Sequence, residues 1–230
     1  MKIGIIGAMD EEIILIKEKM NNSVSTKIAG CEFFEGVFKT KDIILTKSGI
    51  GKVAAAMATT LLLIKFDIDL VINIGSAGGY DPMLNIGDIV IANELRFHDV
   101  DVTAFGYEIG QMAEQPAAFY PDQKSVDIAL QASASLNEIK VTSGLICTGD
   151  IFMADPAKVA IARSNFPNMA ACEMEAASIA QVCQLFSVPF IIVRSLSDIA
   201  GKTSDLSFEE FLPKAAKNAT ILVESIINKL

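Results

Sequence analysis

Four polar residues arrive almost together behind one apolar run: Arg194, Ser195, Ser197 and Asp198 follow Phe190-Ile191-Ile192-Val193. A continuous apolar run rich in β-branched residues suits a strand buried on both faces, as in a parallel sheet. Polar groups at the carboxyl end of such a strand sit where open α/β sheets hold their ligands. An arginine there is costly to bury alone, so Arg194 is expected to face an acid. Two more carboxylates stand in comparable places. Glu12 follows the first apolar run, Lys2 to Ala8, and Glu175 stands at the start of an apolar helical stretch, Met174 to Phe186. Ser76 follows the run Leu70 to Ile74, within Gly75-Ser76-Ala77-Gly78-Gly79, whose glycines permit close backbone approach to a ligand. Phe152 follows the run Val141 to Thr148. A twisted parallel sheet with aligned carboxyl ends brings these residues to one crevice. Plainer readings exist for each: Glu175 complements a helix dipole, Asp198 is a loop or cap aspartate, and the glycines form an ordinary strand-to-loop turn.

Elimination narrows the chemistry. His98 is the single histidine, which speaks against a Ser-His-Asp relay or a multi-histidine metal site. There is no G-x-G-x-x-G fingerprint, and Ser76 is not in a G-x-S-x-G elbow. Ser48-Gly49-Ile50-Gly51-Lys52 falls short of a P-loop, with Thr46 at the first glycine position and Val53 at the Ser/Thr position. The acid and base groups that remain are carboxylates, and no metal or cofactor is expected. Carboxylates without a metal suit hydrolysis at an acetal-like carbon, where one acid protonates the leaving group and another activates water.

The elements that must carry these residues follow the apolar pattern. Helices are expected at Glu11 to Met20, Val53 to about Lys65, Asp122 to Leu136 and from Pro156 to about Asn165. Residues 23 to 47 read as two or three strands with a turn at Glu35-Gly36, and Gly87 to Arg96 as another strand. Residues 98 to 121, with Phe105, Tyr107, Phe119 and Tyr120, form a long irregular stretch of the kind that serves as a lid or interface. The last helix is expected to start near Ser207, where Ser207-Phe208-Glu209-Glu210 fits a capping box.

Composition bounds the class. A chain of 230 residues, 51% hydrophobic, is most simply one domain spanning 1–230. A formal charge of -9 argues against nucleic acid as a partner. No apolar segment is long enough to span a bilayer, and the acidic residues after the first apolar run do not suit a signal peptide. Cys31, Cys147, Cys172 and Cys183 show no C-x-x-C spacing, which suits free thiols in a reducing cytoplasm.

Taken together, Gly4-Ile5-Ile6-Gly7-Ala8-Met9-Asp10-Glu11-Glu12, Lys47 to Lys52, Asn73 to Gly79, Asp99 to Tyr107, Glu173-Met174-Glu175-Ala176, Arg194 to Asp198 and Leu206-Ser207-Phe208 closely resemble the 5′-methylthioadenosine/S-adenosylhomocysteine nucleosidases of the nucleoside phosphorylase superfamily. The resemblance implies a three-layer α/β/α fold around a twisted mixed sheet, working as a homodimer on adenine nucleosides without a cofactor. It implies Asp198 as the general acid at adenine N7 and Glu12 as the base on water. Met174 and Glu175 match ribose-binding positions, with Arg194 near the water, and Ser76 and Ser197 support Asp198 and the base pocket. Ala77 and Gly78 belong to the same substrate-binding set, Phe152 packs on the purine, and the Met153 backbone reads its edge. Met9, Ile50 and Phe208 line the sugar and 5′-thio region, with Phe105 supplied by the partner subunit. Residue 113 is Ala where the family pattern has a proline, which bears on the 5′ substituent and not on the reaction. Purine nucleoside phosphorolysis, hydrolysis of a futalosine-type nucleoside and non-catalytic adenosine sensing are the alternatives. A sensor needs neither Glu12 nor Asp198. A phosphorolytic site needs a cation for phosphate, and the chain has only Arg96, Arg163 and Arg194 among its arginines.

Overall fold

The computed structural model describes residues 1–134, 136, 139–200 and 204–230, with 204–207 described from the backbone alone. In chain order the elements are β1 (Lys2–Gly7), α1 (Asp10–Lys19), β2 (Asn21–Ile28), β3 (Cys31–Phe38), β4 (Lys41–Lys47), α2 (Lys52–Lys65), β5 (Leu70–Gly79) and β6 (Ile89–Phe97). A 3-10 turn at Thr103–Phe105 leads to α3 (Gln123–Ser133), β7 (Val141–Thr148), α4 (Pro156–Asn165), β8 (Met169–Glu173), α5 (Ala176–Leu185), β9 (Phe190–Ile199) and α6 (Ser204–Ile227).

Alternation along the strands sends side chains to two cores. Ile3 and Ile5 of β1, Leu70, Ile72 and Ile74 of β5, and Ile191 and Val193 of β9 pack with α1, α3 and α6. Ile6, Val71, Phe190 and Ile192 point the other way, toward Ala55, Ala58 and Leu62 of α2 and Ala176 to Cys183 of α5. A strand whose successive side chains are both buried has to be apolar throughout, which is the pattern of these runs. The result is a mixed sheet between two helical layers. Among the described residues, no helix is long and apolar enough to cross a membrane.

The nine strands run in the order β2-β3-β4-β1-β5-β8-β7-β6-β9, and β9 also pairs with β5. Strands β5, β8, β7, β6 and β9 therefore close on themselves. β9 runs parallel to β5 but antiparallel to β6, so the sheet is mixed, as the resemblance implies, and it curls at this end. Curling brings the carboxyl ends together: Gly78 at the end of β5 pairs with Cys172 near the end of β8.

Three local expectations change. Glu35-Gly36 is not a turn: both residues lie within β3, and Gly36 pairs with Ile43. Its missing side chain makes room for β2, since a Cβ there would stand 2.9 Å from the Asn21 carbonyl. The turns fall instead at Ala29-Gly30 and Lys39, all with positive φ. The glycine and polar segments 75–79 and 194–198 continue their strands, because β5 and β9 pair along their whole length as far as Gly79 and Ile199. Met169–Glu173, to which the sequence reading assigned no element, forms β8 ahead of the helix. The last helix begins at Ser204, so Ser207 lies inside its first turn, and the Ser207 side chain of the expected capping box lies outside the described residues.

Candidate active site

The first carboxylate is placed by a helix start. Glu12 lies in the first turn of α1, and its Oε2 accepts hydrogen bonds from Ala8 N at 2.7 Å and Met9 N at 3.2 Å. Reaching back to N–H groups left free by the helix is what an acid at this position does best. Its Oε1 turns to β5 and accepts from Ser76 N at 2.8 Å and Ser76 Oγ at 3.0 Å. Glu12 is thus gripped from two elements while only 1% exposed.

The guanidinium is placed by β9. Arg194 is buried, and its Nη2 donates to Asn73 Oδ1 at 2.6 Å and pairs with Glu173 Oε2 at 2.7 Å and Glu175 Oε2 at 3.5 Å. Its Nη1 donates to the Ser76 carbonyl at 3.2 Å. Gly75 makes this arrangement physically available, because a Cβ there would stand 2.1 Å from Arg194 Nη1 and 2.9 Å from Glu12 Oε1. Burial works against the arginine's charge, but Glu173, Glu175 and Glu12 more than offset it, and its pKa is raised.

Glu175 stands at the start of α5. Its Oε1 accepts from Gly51 N at 2.9 Å, at the head of α2. Burial first, then the neighbouring Glu173, push the Glu175 carboxyl up to about 8, against the pull of Arg194 and the Gly51 hydrogen bond. Near neutral pH this carboxyl titrates where an ordinary one is fully ionised.

At the far end of β9 the register slips between Ala77/Gly78, leaving Ser197 as the extra residue. Such a bulge re-aims the side chains around it. Both Ser197 and Asp198 line the cleft, and Ser197 Oγ donates to Asp198 Oδ1 at 2.9 Å. Gly78 leaves room beside them, since a Cβ there would lie 3.2 Å from Asp198 Oδ2. Burial first, and then Asp198, drive the Cys172 thiol well above its ordinary pKa, which leaves it a poor nucleophile.

One cleft gathers nearly every residue singled out from the sequence. Met9, Glu12, Ile50, Ser76, Ala77, Gly78, Phe152, Met153, Met174, Glu175, Arg194, Ser197, Asp198 and Phe208 all line it. The rings of Phe152 and Phe208, both in the lining, meet edge to face with centroids 5.8 Å apart. Phe105 is the exception: it lies outside this cleft and is 81% exposed. His98 is not a lining residue either; its ring packs over Gly149, and burial lowers its pKa. Sequence reasoning missed Glu173, Cys172, Ala8 and Ile151 in the lining, and Asn73 and Thr148 behind it. Glu173 was within reach, because an acid ending the apolar run Met169 to Cys172 needs a partner for the same reason that Arg194 does.

The other two arginines are occupied elsewhere. Arg96 pairs with Glu94 and Glu108, while Arg163 donates to the Tyr80 carbonyl at 2.8 Å and lies over the Tyr80 ring. Among the described residues the cleft has one guanidinium facing Glu12, Glu173 and Glu175.

Known proteins with this pattern agree with one another. The phosphorylase superfamily profile matches residues 2–228. A 5′-methylthioadenosine/S-adenosylhomocysteine nucleosidase from Psychromonas ingrahamii is 68% identical over 230 residues, covering 100% of both chains. The crystal structure of a nucleosidase of the same name from Colwellia psychrerythraea 34H, in complex with adenine, is 52% identical with a TM-score of 0.98, covering 100% of this chain and 96% of that one. Futalosine hydrolase of Helicobacter pylori is more distant, 34% identical with a TM-score of 0.94 over 100% of this chain and 98% of that one. The chain belongs to the phosphorylase superfamily and, within it, to the 5′-methylthioadenosine/S-adenosylhomocysteine nucleosidase family.

Proposed function

We propose that this chain is an N-glycosyl hydrolase that splits 5′-methylthioadenosine and S-adenosylhomocysteine into adenine and the 5-thio-substituted ribose. The observation that carries the reading is the charge of the cleft: three carboxylates surround a single, already paired guanidinium. Phosphate would bring further negative charge beside Glu12. At an effective dielectric of about 20, two like unit charges roughly 4 Å apart repel by about 4 kcal/mol. Water carries no such penalty, and a carboxylate helps to deprotonate it.

In this mechanism the glycosidic carbon–nitrogen bond breaks with its electron pair going to the purine. Asp198, steadied by Ser197, gives its proton to N7 of the departing base. Water attacks the anomeric carbon and yields its proton to Glu12. Ser76 Oγ, already on Glu12, can turn to hold that water. Glu175 engages the ribose hydroxyls with Met174, and Arg194 keeps Glu175 in place. Phe152, Met153, Ala77 and Gly78 enclose the base, while Met9, Ile50 and Phe208 enclose the sugar and its 5′ substituent.

Residues 1–230 act as one nucleosidase domain in a homodimer, in which Phe105 reaches the partner subunit's cleft. Support comes from the surface: Val53, Met57 and Ile64 form an apolar stripe along α2, 81%, 43% and 69% exposed, and Phe105 adds a large exposed ring. A cytoplasmic enzyme serving methionine salvage and S-adenosylhomocysteine recycling fits the four free, buried cysteines. The futalosine hydrolase of Helicobacter pylori with the same fold makes a futalosine-type nucleoside the next substrate to assay. The decisive experiment measures adenine release from all three nucleosides with and without phosphate and identifies the sugar. Free 5-thioribose, independent of phosphate, is expected. A sugar 1-phosphate formed only with phosphate would overturn hydrolysis.

A further inference from the structure

Glu173 is as deeply engaged as any acid in the cleft, and none of its contacts points outward. Its Oε2 accepts from Arg194 Nη2 at 2.7 Å, Glu175 N at 2.9 Å and Ala176 N at 2.8 Å. Its Oε1 accepts from Thr148 Oγ1, whose oxygen in turn accepts from Ala177 N at 2.8 Å. One carboxylate therefore ties the end of β8, the first turn of α5, the end of β7 and the guanidinium on β9. Arg194 lies closer to it than to Glu175, by 2.7 Å against 3.5 Å. With four donors satisfied, Glu173 has little left to offer a ligand. Glu175 is the opposite case: its Oε1 holds Gly51 N, and among the described residues its Oε2 has only the long contact to Arg194.

We infer that Glu173 is a positioning residue for the sugar side of the cleft, anchoring Arg194 and the Glu175 backbone so that Glu175 Oε2 stays available to a ligand hydroxyl. The inference rests on reading the cleft as an adenine-nucleoside site. Replacing the charge of Glu173 frees Arg194 to close on Glu175, which withdraws that oxygen from the cleft. The groups facing this cluster are Arg194 from β9, Glu12 from α1, Glu175 from the head of α5, His98 from the end of β6, Cys147 from β7 and Cys172 from β8. Removing one negative neighbour while bringing the arginine nearer moves the titration of Glu175 to lower pH.

The test compares two ligands: adenine, which reports the base side, and a non-hydrolysable 5′-thio adenine C-nucleoside, which adds the sugar. For Glu173→Gln the nucleoside analogue is expected to bind about tenfold or more weakly while adenine binds within about twofold of wild type, since one charged hydrogen-bond system on the sugar side is lost. The kcat/KM pH profile moves toward lower pH in the same variant. If Glu173→Gln fails to fold, Thr148→Val, which keeps the charge but removes the hydroxyl that fixes Glu173 Oε1, gives the same ligand split in weaker form, because the loosened carboxylate holds Arg194 less firmly. Equal losses for both ligands, or none for either, would overturn the positioning role. Failure of the wild-type protein to bind adenine would overturn the reading of the cleft itself and the inference with it.

Discussion

In the proposed reaction, departure of the purine rests on one carboxyl group, Asp198, which is 3% exposed and steadied by Ser197. Asp198→Asn keeps the shape and removes the transferable proton, so kcat should fall by about 10²- to 10⁴-fold. Affinity for the non-hydrolysable nucleoside should stay within a few-fold, and a near wild-type kcat would exclude Asp198 as the acid. Glu175 makes a pH prediction. Its folded-state pKa is raised to about 8 from an ordinary 4.5, mainly by burial, so ionising it costs more in the folded chain than in the unfolded one. The contribution to stability is whole below about 4.5 and is lost as pH rises toward about 8. Thermal melts across that window should show Tm falling with pH, and Glu175→Gln should flatten the slope; an unchanged slope would refute it. These residues were legible in the sequence because each interrupts an apolar run where a ligand belongs. Glu173 ends an apolar run as they do and was passed over, whereas Asn73 was harder to read. Asn73 sits among apolar neighbours and gives its side-chain carbonyl to Arg194, a contact that only the fold creates.

Elements explain why some boundaries were visible and others were not. The bounds of β7 and α4 coincide with those drawn from apolar runs and from Pro156. The extended ends of β5 and β9 were not visible, because ladder hydrogen bonds form between backbones whatever the side chains are. A motif that reads as a glycine loop is therefore a strand, and its glycines serve clearance. Nor does any residue type announce the bulge at Ser197, which follows from a one-residue register slip. Clearance is testable at Gly75. The added methyl of Gly75→Ala would press on the Arg194 guanidinium and on Glu12, neither of which can move without losing its partners. We expect a loss of about 1–3 kcal/mol in stability, typical of overpacking, together with a large loss of turnover. Denaturant melts and steady-state rates measure both, and a stable, fully active variant would show that the packing around Arg194 is looser than described.

At the scale of the whole molecule, two surfaces matter: the cleft and the face that the proposed dimer covers. Charging the exposed stripe on α2 separates them. Val53→Glu combined with Ile64→Glu leaves the core intact, because both side chains point outward. Sedimentation should then show a monomer, with turnover reduced because Phe105 no longer reaches its neighbour. A monomeric variant with full activity would reject the shared site. The closed run of strands also sets a timetable for synthesis. β5 finds β1 at once, but its other edge waits for β9, whose Phe190 pairs with Val71. At about 5–20 residues per second on the ribosome, the 119 residues after Val71 up to Phe190 (190 − 71) take roughly 6 to 24 s to emerge. Throughout that interval the nascent chain carries an unpaired strand edge, a template for wrong partners, and Glu12 has no guanidinium opposite it. Catalytic competence therefore arrives late and all at once, with β9 and the residues that follow it.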